Sequence, residues 1–183
     1  MDKHTFSYLA SVEIFVLSPA RTEVLLLERA LTKTVLPGFW AGLGGKMDAK
    51  ILESPRAAAV REMTEESGYT LRNVTGFRPA GLYTVEDRFG RWLIFEFTCV
   101  AKKKLFRGPL ATEEGTLSWV PLGDLPGIKL IPDLRQGLLE TMLDRNDFLE
   151  VTVSYDRKGK MRRLVSYPDM KGGRRIASTR NRG

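Results

Sequence analysis

Apolar residues come in short runs bounded by turn residues, a rhythm that predicts strands more often than helices. Residues 12–17 and 24–27 are two such runs, separated by Ser18-Pro19-Ala20-Arg21, and they predict a strand pair. Further strands are predicted at 81–85, 92–100 and 117–120. Residues 148–155 and 161–166 flank Asp156-Arg157-Lys158-Gly159, a sequence suited to a hairpin turn. One segment reads differently. Ser54 is placed to cap a helix, Pro55 fits its first position, an alanine-rich interior follows and Gly68 can end it, which predicts a helix over 55–67. A second helix is predicted over 133–144, after Pro132. Strands with helices packed on them give an α/β fold with a mixed sheet.

With 3.6 residues per turn, Ala59, Met63, Arg56, Ser67 and Val60 fall on one narrow, largely apolar face of the first helix, which is expected to pack inward. Glu62, Glu65 and Glu66 fall together on a second sector, with Ala58 among them. Three like charges at this spacing weaken a helix unless a cation sits between them. An all-oxygen cluster suits Mg²⁺ or Mn²⁺ better than zinc. Taken alone, Glu-x-x-Glu-Glu is more often a solvated acidic face. What lies upstream changes that reading. Gly42-Leu43-Gly44-Gly45-Lys46 reads as a glycine-rich turn after Phe39-Trp40, where backbone can approach a ligand closely.

The stretch from Gly44-Gly45-Lys46 through Glu53 to Arg61-Glu62-Met63-Thr64-Glu65-Glu66-Ser67-Gly68-Tyr69 resembles the Nudix box, G-x5-E-x7-R-E-U-x-E-E-x-G-U with U apolar. From Glu53 onward every spacing agrees. Upstream it departs: seven residues separate Gly45 from Glu53 instead of five, and Met47 stands at the box glycine, so an enlarged loop is expected there. Segments 38–46, 112–119 and 131–133 also look like the MutT-related oxidised-purine nucleoside triphosphatases.

The resemblance implies a Nudix-type α/β/α sandwich with a mixed sheet and a catalytic loop and helix. It implies Mg²⁺-dependent hydrolysis of a nucleoside triphosphate, such as 8-oxo-dGTP, to monophosphate and pyrophosphate, with Mn²⁺ as an alternative ion. Carried over by position, Glu62, Glu65 and Glu66 match the metal-binding glutamates, and the Gly44 carbonyl matches a further ligand. Glu114 matches a later loop ligand, and it or one of the helix glutamates would accept the proton of the attacking water. Glu53 and Arg61 match a structural ion pair. In the oxidised-purine enzymes an Asn beside the aromatic pair and two acidic residues after the proline read the base. Ala41, Asp133 and Leu134 stand at those positions here, leaving Asp133 as the polar reader. It is expected to share a cleft with Ala41, although an acidic residue after Pro132 can equally serve to stabilise a helix start. Trp40 is a candidate to stack a base and Lys46 to meet phosphate. The same resemblance leaves open dinucleoside polyphosphates, ADP-ribose and nucleotide sugars as substrates, and a catalytically inactive nucleotide-sensing module as another class.

Charge and composition narrow this further. The chain of 183 residues carries a net charge of +7, yet the segment from Arg157 onward holds ten Lys/Arg against Asp169 alone. That segment contributes +9, leaving −2 on everything before it. A dedicated nucleic-acid binder is thereby disfavoured, and residues 169–183 read as a basic, disordered tail behind a single domain spanning 1–168. No apolar run approaches the roughly 20 residues of a membrane span, and no signal peptide is apparent. The expectation is a cytoplasmic protein, monomer or homodimer, whose partner is a small nucleotide. Cys99 lies in an apolar strand and reads as a buried, inert thiol, and His4 as a residue without a catalytic role.

Overall fold

The computed structural model describes residues 7–144 and 148–168; His4 and the tail 169–183 lie outside them. Ten strands share one mixed sheet: β1 (Leu9–Leu17), β2 (Glu23–Arg29), β3 (Trp40–Ala41), β4 (Leu43–Lys46), β5 (Val74–Asp87), β6 (Gly90–Ala101), β7 (Leu110–Ala111), β8 (Gly115–Pro121), β9 (Leu149–Tyr155) and β10 (Met161–Tyr167). The helices are α1 (Pro55–Ser67) and the short α2 (Leu138–Asp144). Strand order along the sheet is β10-β9-β5-β6-β1-β2-β8-β7, with β3 paired to β2 and β4 paired to β1. β1 runs parallel to β6, and β5 parallel to β9; the other pairings are antiparallel.

The pairing of β1 determines where the site forms. One edge pairs with β6 along the whole strand, from Leu9 opposite Trp92 to Leu17 opposite Val100. The other edge is divided: Ser11–Ile14 pairs with β4, while only Val16 and Leu17 meet β2. The expected β1–β2 partnership is therefore two residue pairs long, and the sheet forks where the chain crosses from β3 through Gly42 to β4. The expected glycine turn at 42–46 is largely strand, because the free edge of β1 offers the ladder partners its amides need.

Each face of the sheet buries its own core. On one, Val12, Ile14, Leu25, Leu27, Leu43 and Leu117 pack with Ala58, Ala59 and Met63 of α1. On the other, Phe15, Leu17, Tyr83, Val85, Val151 and Val153 pack with Leu138, Leu139 and Met142 of α2.

The helix over 55–67 forms with the predicted bounds, since its ends are locally encoded. Ser54 Oγ accepts from the Ala57 amide at 3.2 Å, and Gly68 at φ 73° donates its N–H to the Thr64 carbonyl. Its buried stripe is shifted from the expected one: Ala58 joins Ala59, Met63 and Ser67, while Arg56 is exposed with its guanidinium 4.9 Å from the Phe77 ring. Burying that cation without a charged partner would cost several kcal/mol on the order of the ionic desolvation penalty, so the helix rolls toward Ala58. The second predicted helix is broken. Gly137 at φ 85° separates a 3₁₀ turn, Leu134–Gln136, from α2. Gly68→Ala is expected to lower stability by about 1 kcal/mol through backbone strain alone, since nothing lies within 4 Å of the added Cβ. A urea titration with a lower midpoint and unchanged slope checks this.

Candidate active site

Glu62 and Glu66 lie one and two turns beyond Ala58, so burying that alanine carries both carboxylates toward β4. The strand admits them because it lacks side chains there. A Cβ on Gly45 would stand 2.5 Å from Glu62 Oε1, and the Gly44 amide donates to Glu66 Oε2 at 2.9 Å. Gly44 itself sits at φ 153°, where a Cβ would come within 2.1 Å of the Val12 carbonyl oxygen.

Arg61 joins the helix to the loop before it. Its Nε and one terminal nitrogen donate to both carboxylate oxygens of Glu53, at 3.0 and 3.1 Å, and that nitrogen also reaches the Lys46 carbonyl at 3.2 Å. The other terminal nitrogen donates to Glu62 at 2.8 Å and Glu65 at 3.1 Å. Glu53 also accepts from the Asp48 amide at 2.9 Å, so the enlarged loop is tied at both ends while Ile51 and Leu52 turn outward into solvent. Arg61, first of all, holds the Glu53 carboxyl below its ordinary value of 4.5, and the Asp48 amide adds to this.

Glu65 is the outlier of the trio: it is exposed and held by Arg61 alone among these groups. Glu114, at the turn before β8, pairs with Lys33 at 2.6 Å. Burial raises Glu66 to about 7, and the charges of Glu62 and Glu114 push the same way. Glu62, Glu66 and Glu114 are therefore electrostatic neighbours. With the side chains turned to Arg61, Lys33 and the Gly44 amide, no three His, Cys, Asp or Glu groups among the described residues are drawn together as a cation cage.

The other expected contacts divide between the faces of the sheet. Trp40 is half-buried; its amide donates to the Lys129 carbonyl at 2.8 Å and its carbonyl accepts from Ile131 at 3.1 Å, bringing the Pro132-Asp133 corner beside the fork. Lys46 is exposed, its ammonium 5.5 Å from the Trp92 ring centre. Ala41 pairs with Leu27 in the ladder and so shares the α1 face, whereas Asp133 lies with the α2 core; the two do not face one cleft as expected. Asp133 is buried and makes no capping hydrogen bond to the 3₁₀ turn it precedes. Burial raises its carboxyl, an effect offset in part by its own and the Leu134 amides and by the Tyr155 hydroxyl.

Sequence reasoning missed two further acids. Glu13 of β1 and Glu96 of β6 stand opposite each other in the parallel ladder, both within apolar strands. Glu13 Oε1 accepts from the Gly42 amide at 2.6 Å, and its Cγ occupies the space that a Cβ on Gly42 would need. Glu96 is wholly buried and neither of its oxygens receives a hydrogen bond from an N–H or hydroxyl group. Burial raises both carboxyls, Glu96 furthest; Glu13 and the charge of Asp133 add to the rise for Glu96, while the Gly42 amide and the contact with Glu96 work against the rise for Glu13. A proton held on Glu96 turns the contact into an O–H donated to the Glu13 carboxylate. The available signal was an isolated Glu in each of two apolar strands. Arg29 was missed as well: its charge acts on both Glu13 and Glu66, across the fork.

The match to known proteins agrees with this geometry. The NUDIX domain model covers residues 7–143, from β1 into α2. The chain belongs to the NUDIX family. It is 29% identical over 136 residues to the uncharacterized Nudix hydrolase YvcI of Bacillus subtilis, which spans 73% of this chain and 79% of that protein. Its fold matches the mutator MutT protein of Bacillus halodurans with a TM-score of 0.72 and 21% identity, covering 88% of this chain and 99% of that one. The NUDIX domain of Shewanella oneidensis NrtR, solved with ADP ribose, matches at 0.60 with 18% identity over 78% and 93% of the two chains. This Nudix protein is an enzyme of the phosphoanhydride hydrolase class. No helix among the described residues is long and apolar enough to cross a membrane. Cys99 is buried, which pushes its thiol up to about 12 and leaves it unreactive near neutrality.

Because the folded Glu53 carboxyl titrates below its unfolded value of 4.5, it contributes stability that is full above that value and drains away as pH falls through the lowered one. Glu53→Gln is expected to be less stable than the wild type at neutral pH and to show a shallower acid limb. Urea midpoints measured across the acid range would reveal both effects.

Proposed function

We propose that this protein hydrolyses a nucleoside triphosphate to monophosphate and pyrophosphate, with a divalent cation held by Glu62, Glu65, Glu66, Glu114 and the Gly44 carbonyl. The observation that carries the reading is Glu66. It is a carboxylate drawn against the Gly44 amide, raised to about 7 by burial and by the charges of Glu62 and Glu114. The charge of Arg29 reaches this group but does not outweigh burial and the two like charges, and oxygen donors left short of positive charge in this way fit Mg²⁺ or Mn²⁺. When bound, the ion supplies charge neutralisation at the phosphates and acidifies a coordinated water.

The chain's own groups supply the rest. Arg61 holds Glu62 and Glu65 in register with the loop through Glu53 and the Lys46 carbonyl, so helix and β4 move as one piece. The missing side chains at Gly44 and Gly45 let the Val12 backbone and the Glu62 carboxylate lie directly against β4. One of the helix glutamates, or Glu114, accepts the proton of the attacking water. Lys46 stands exposed at the end of β4, where it can meet the phosphates, and the half-buried Trp40 offers a ring to the base. The likeness to MutT supports a triphosphate as substrate, and an oxidised purine such as 8-oxo-dGTP belongs among the nucleotides to be tried.

Glu66→Gln keeps the size of the side chain and removes its charge. It is expected to lower kcat by roughly 100-fold or more with KM changed far less, because the loss falls on transition-state charge stabilisation. Pyrophosphate release from nucleoside triphosphates in Mg²⁺, with the product identified and folding checked by circular dichroism, tests it. Wild-type turnover in the variant would remove Glu66 from the reaction.

A further inference from the structure

Glu114 is the proposed cation ligand that comes from neither α1 nor β4, and the backbone around it is held firmly. The Thr112 hydroxyl accepts from the Glu114 and Gly115 amides, each at 3.2 Å. The Glu114 carbonyl accepts from the Ala30 amide at 2.9 Å, just past the end of β2. Gly115 makes that approach possible, because a Cβ there would come within 2.0 Å of the Glu28 carbonyl oxygen. With its backbone fixed, Glu114 keeps only its side chain free to change partner.

That partner is Lys33, whose ammonium meets Glu114 Oε1 at 2.6 Å. The Lys33 amide donates to the Ala30 carbonyl at 3.0 Å, and Arg29 Nε donates to the Val35 carbonyl at 3.0 Å. The segment carrying Lys33 is therefore anchored to the same backbone that carries Glu114, and the ammonium stays beside that carboxylate whatever the carboxylate binds. Both side chains remain accessible, 28% and 44% exposed. An ion pair so exposed contributes little to the fold and yields to a stronger partner. A divalent cation is such a partner for a carboxylate oxygen, and the charge of Glu114 already acts on Glu66, so the two acids share one electrostatic neighbourhood. Arg61 also keeps the acids from forming a cage, but Glu53 and the Lys46 carbonyl hold it in place. The Lys33 contact is the one that can be exchanged.

We propose that Lys33 exchanges partners: it holds Glu114 in the cation-free protein and, once that carboxylate is given over to a divalent cation, turns to a phosphate oxygen of the nucleotide. The inference deepens the nucleotide-hydrolase reading above and rests on it. A lysine suits the exchange, since its compact ammonium carries three donors on a flexible stem and binds phosphate as a point charge without a fixed direction. Cation and polyphosphate then assist each other. Loading the cation alone strands the ammonium beside positive charge, and the phosphate chain relieves it. By linkage each ligand strengthens the binding of the other by the same factor.

The test uses the full-length protein with Mn²⁺ and with imidodiphosphate, a two-phosphate chain that carries no base and resists hydrolysis. Binding of Mn²⁺ alone, read from the paramagnetic resonance of the free ion, is expected to tighten roughly fivefold in Lys33→Met, the scale of an exposed ion pair. The gain is expected to vanish when the same substitution is made in Glu114→Gln, where no carboxylate remains to be freed. Imidodiphosphate, supplied as its Mn²⁺ complex to the Mn²⁺-saturated protein, is expected to bind Lys33→Met about tenfold more weakly than wild type, the effect of one lost charge-assisted contact. Circular dichroism checks the fold, and Lys33→Gln takes the place of Lys33→Met should that variant fail it. Unchanged Mn²⁺ affinity in the folded variant, an equal gain with and without the Glu114 carboxylate, or unchanged imidodiphosphate affinity overturns the exchange. Parallel assays of pyrophosphate release from nucleoside triphosphates separate the two readings. Turnover alongside any of those results overturns the Lys33 assignment alone, whereas the expected binding pattern without turnover overturns only the hydrolase reading. Absence of Mn²⁺ binding to the wild type at millimolar concentration overturns both.

Discussion

The Arg61 guanidinium is the contact on which the rest of the catalytic face depends. One planar group donates to Glu53, Glu62, Glu65 and the Lys46 carbonyl, and thereby ties the enlarged loop, the end of β4 and the middle of α1 together. Only a fork of this geometry can engage Glu53 through two nitrogens and still reach its other partners; a lysine ammonium would have to choose among them. The Glu53 side chain is 5% exposed and that of Arg61 33%, so the pair is shielded better than an ordinary surface salt bridge. Arg61 also offsets some of the repulsion among the glutamates beside it.

The forked edge of β1 explains why chemistry gathers on two faces at one place. β4 occupies the first half of that edge and β2 the end, so the chain crossing between them brings Gly42, Gly44 and Gly45 across the sheet within a few residues. Glu62 approaches from the α1 side through the space at Gly45, and Glu13 from the α2 side through the space at Gly42. The same short crossing thus touches the proposed cation site on one side and the buried acid cluster on the other. Arg29, at the end of β2, is placed to act electrostatically on both. Fold similarity at about 20% identity to MutT fits a scaffold held by ladder pairing and two cores, in which individual side chains can change.

The sequence by itself determined what is local. Ser54, Pro55 and Gly68 bounded α1 because capping acts within one turn, and the intervals from Glu53 to Gly68 identified the family because they place side chains on a single helix and its adjoining loop. Most longer strands were legible from their apolar runs. Tertiary structure decided what depends on pairing between distant segments. β3 and β7 are two residues long, carry no periodic signal and exist through their partners. Gly42–Lys46 looked like a turn until the edge of β1 made most of it strand, and Ala41 took its face from Leu27, fourteen positions earlier. Arg56 turned outward because the roll of α1 is set by the sheet beneath it. Glu13 and Glu96 each appeared as a lone acid in an apolar strand; only the parallel register, set by residues some eighty positions apart, made them a pair and put Asp133 beside them. Their chemistry arises from burial and proximity, which no local pattern of residues encodes.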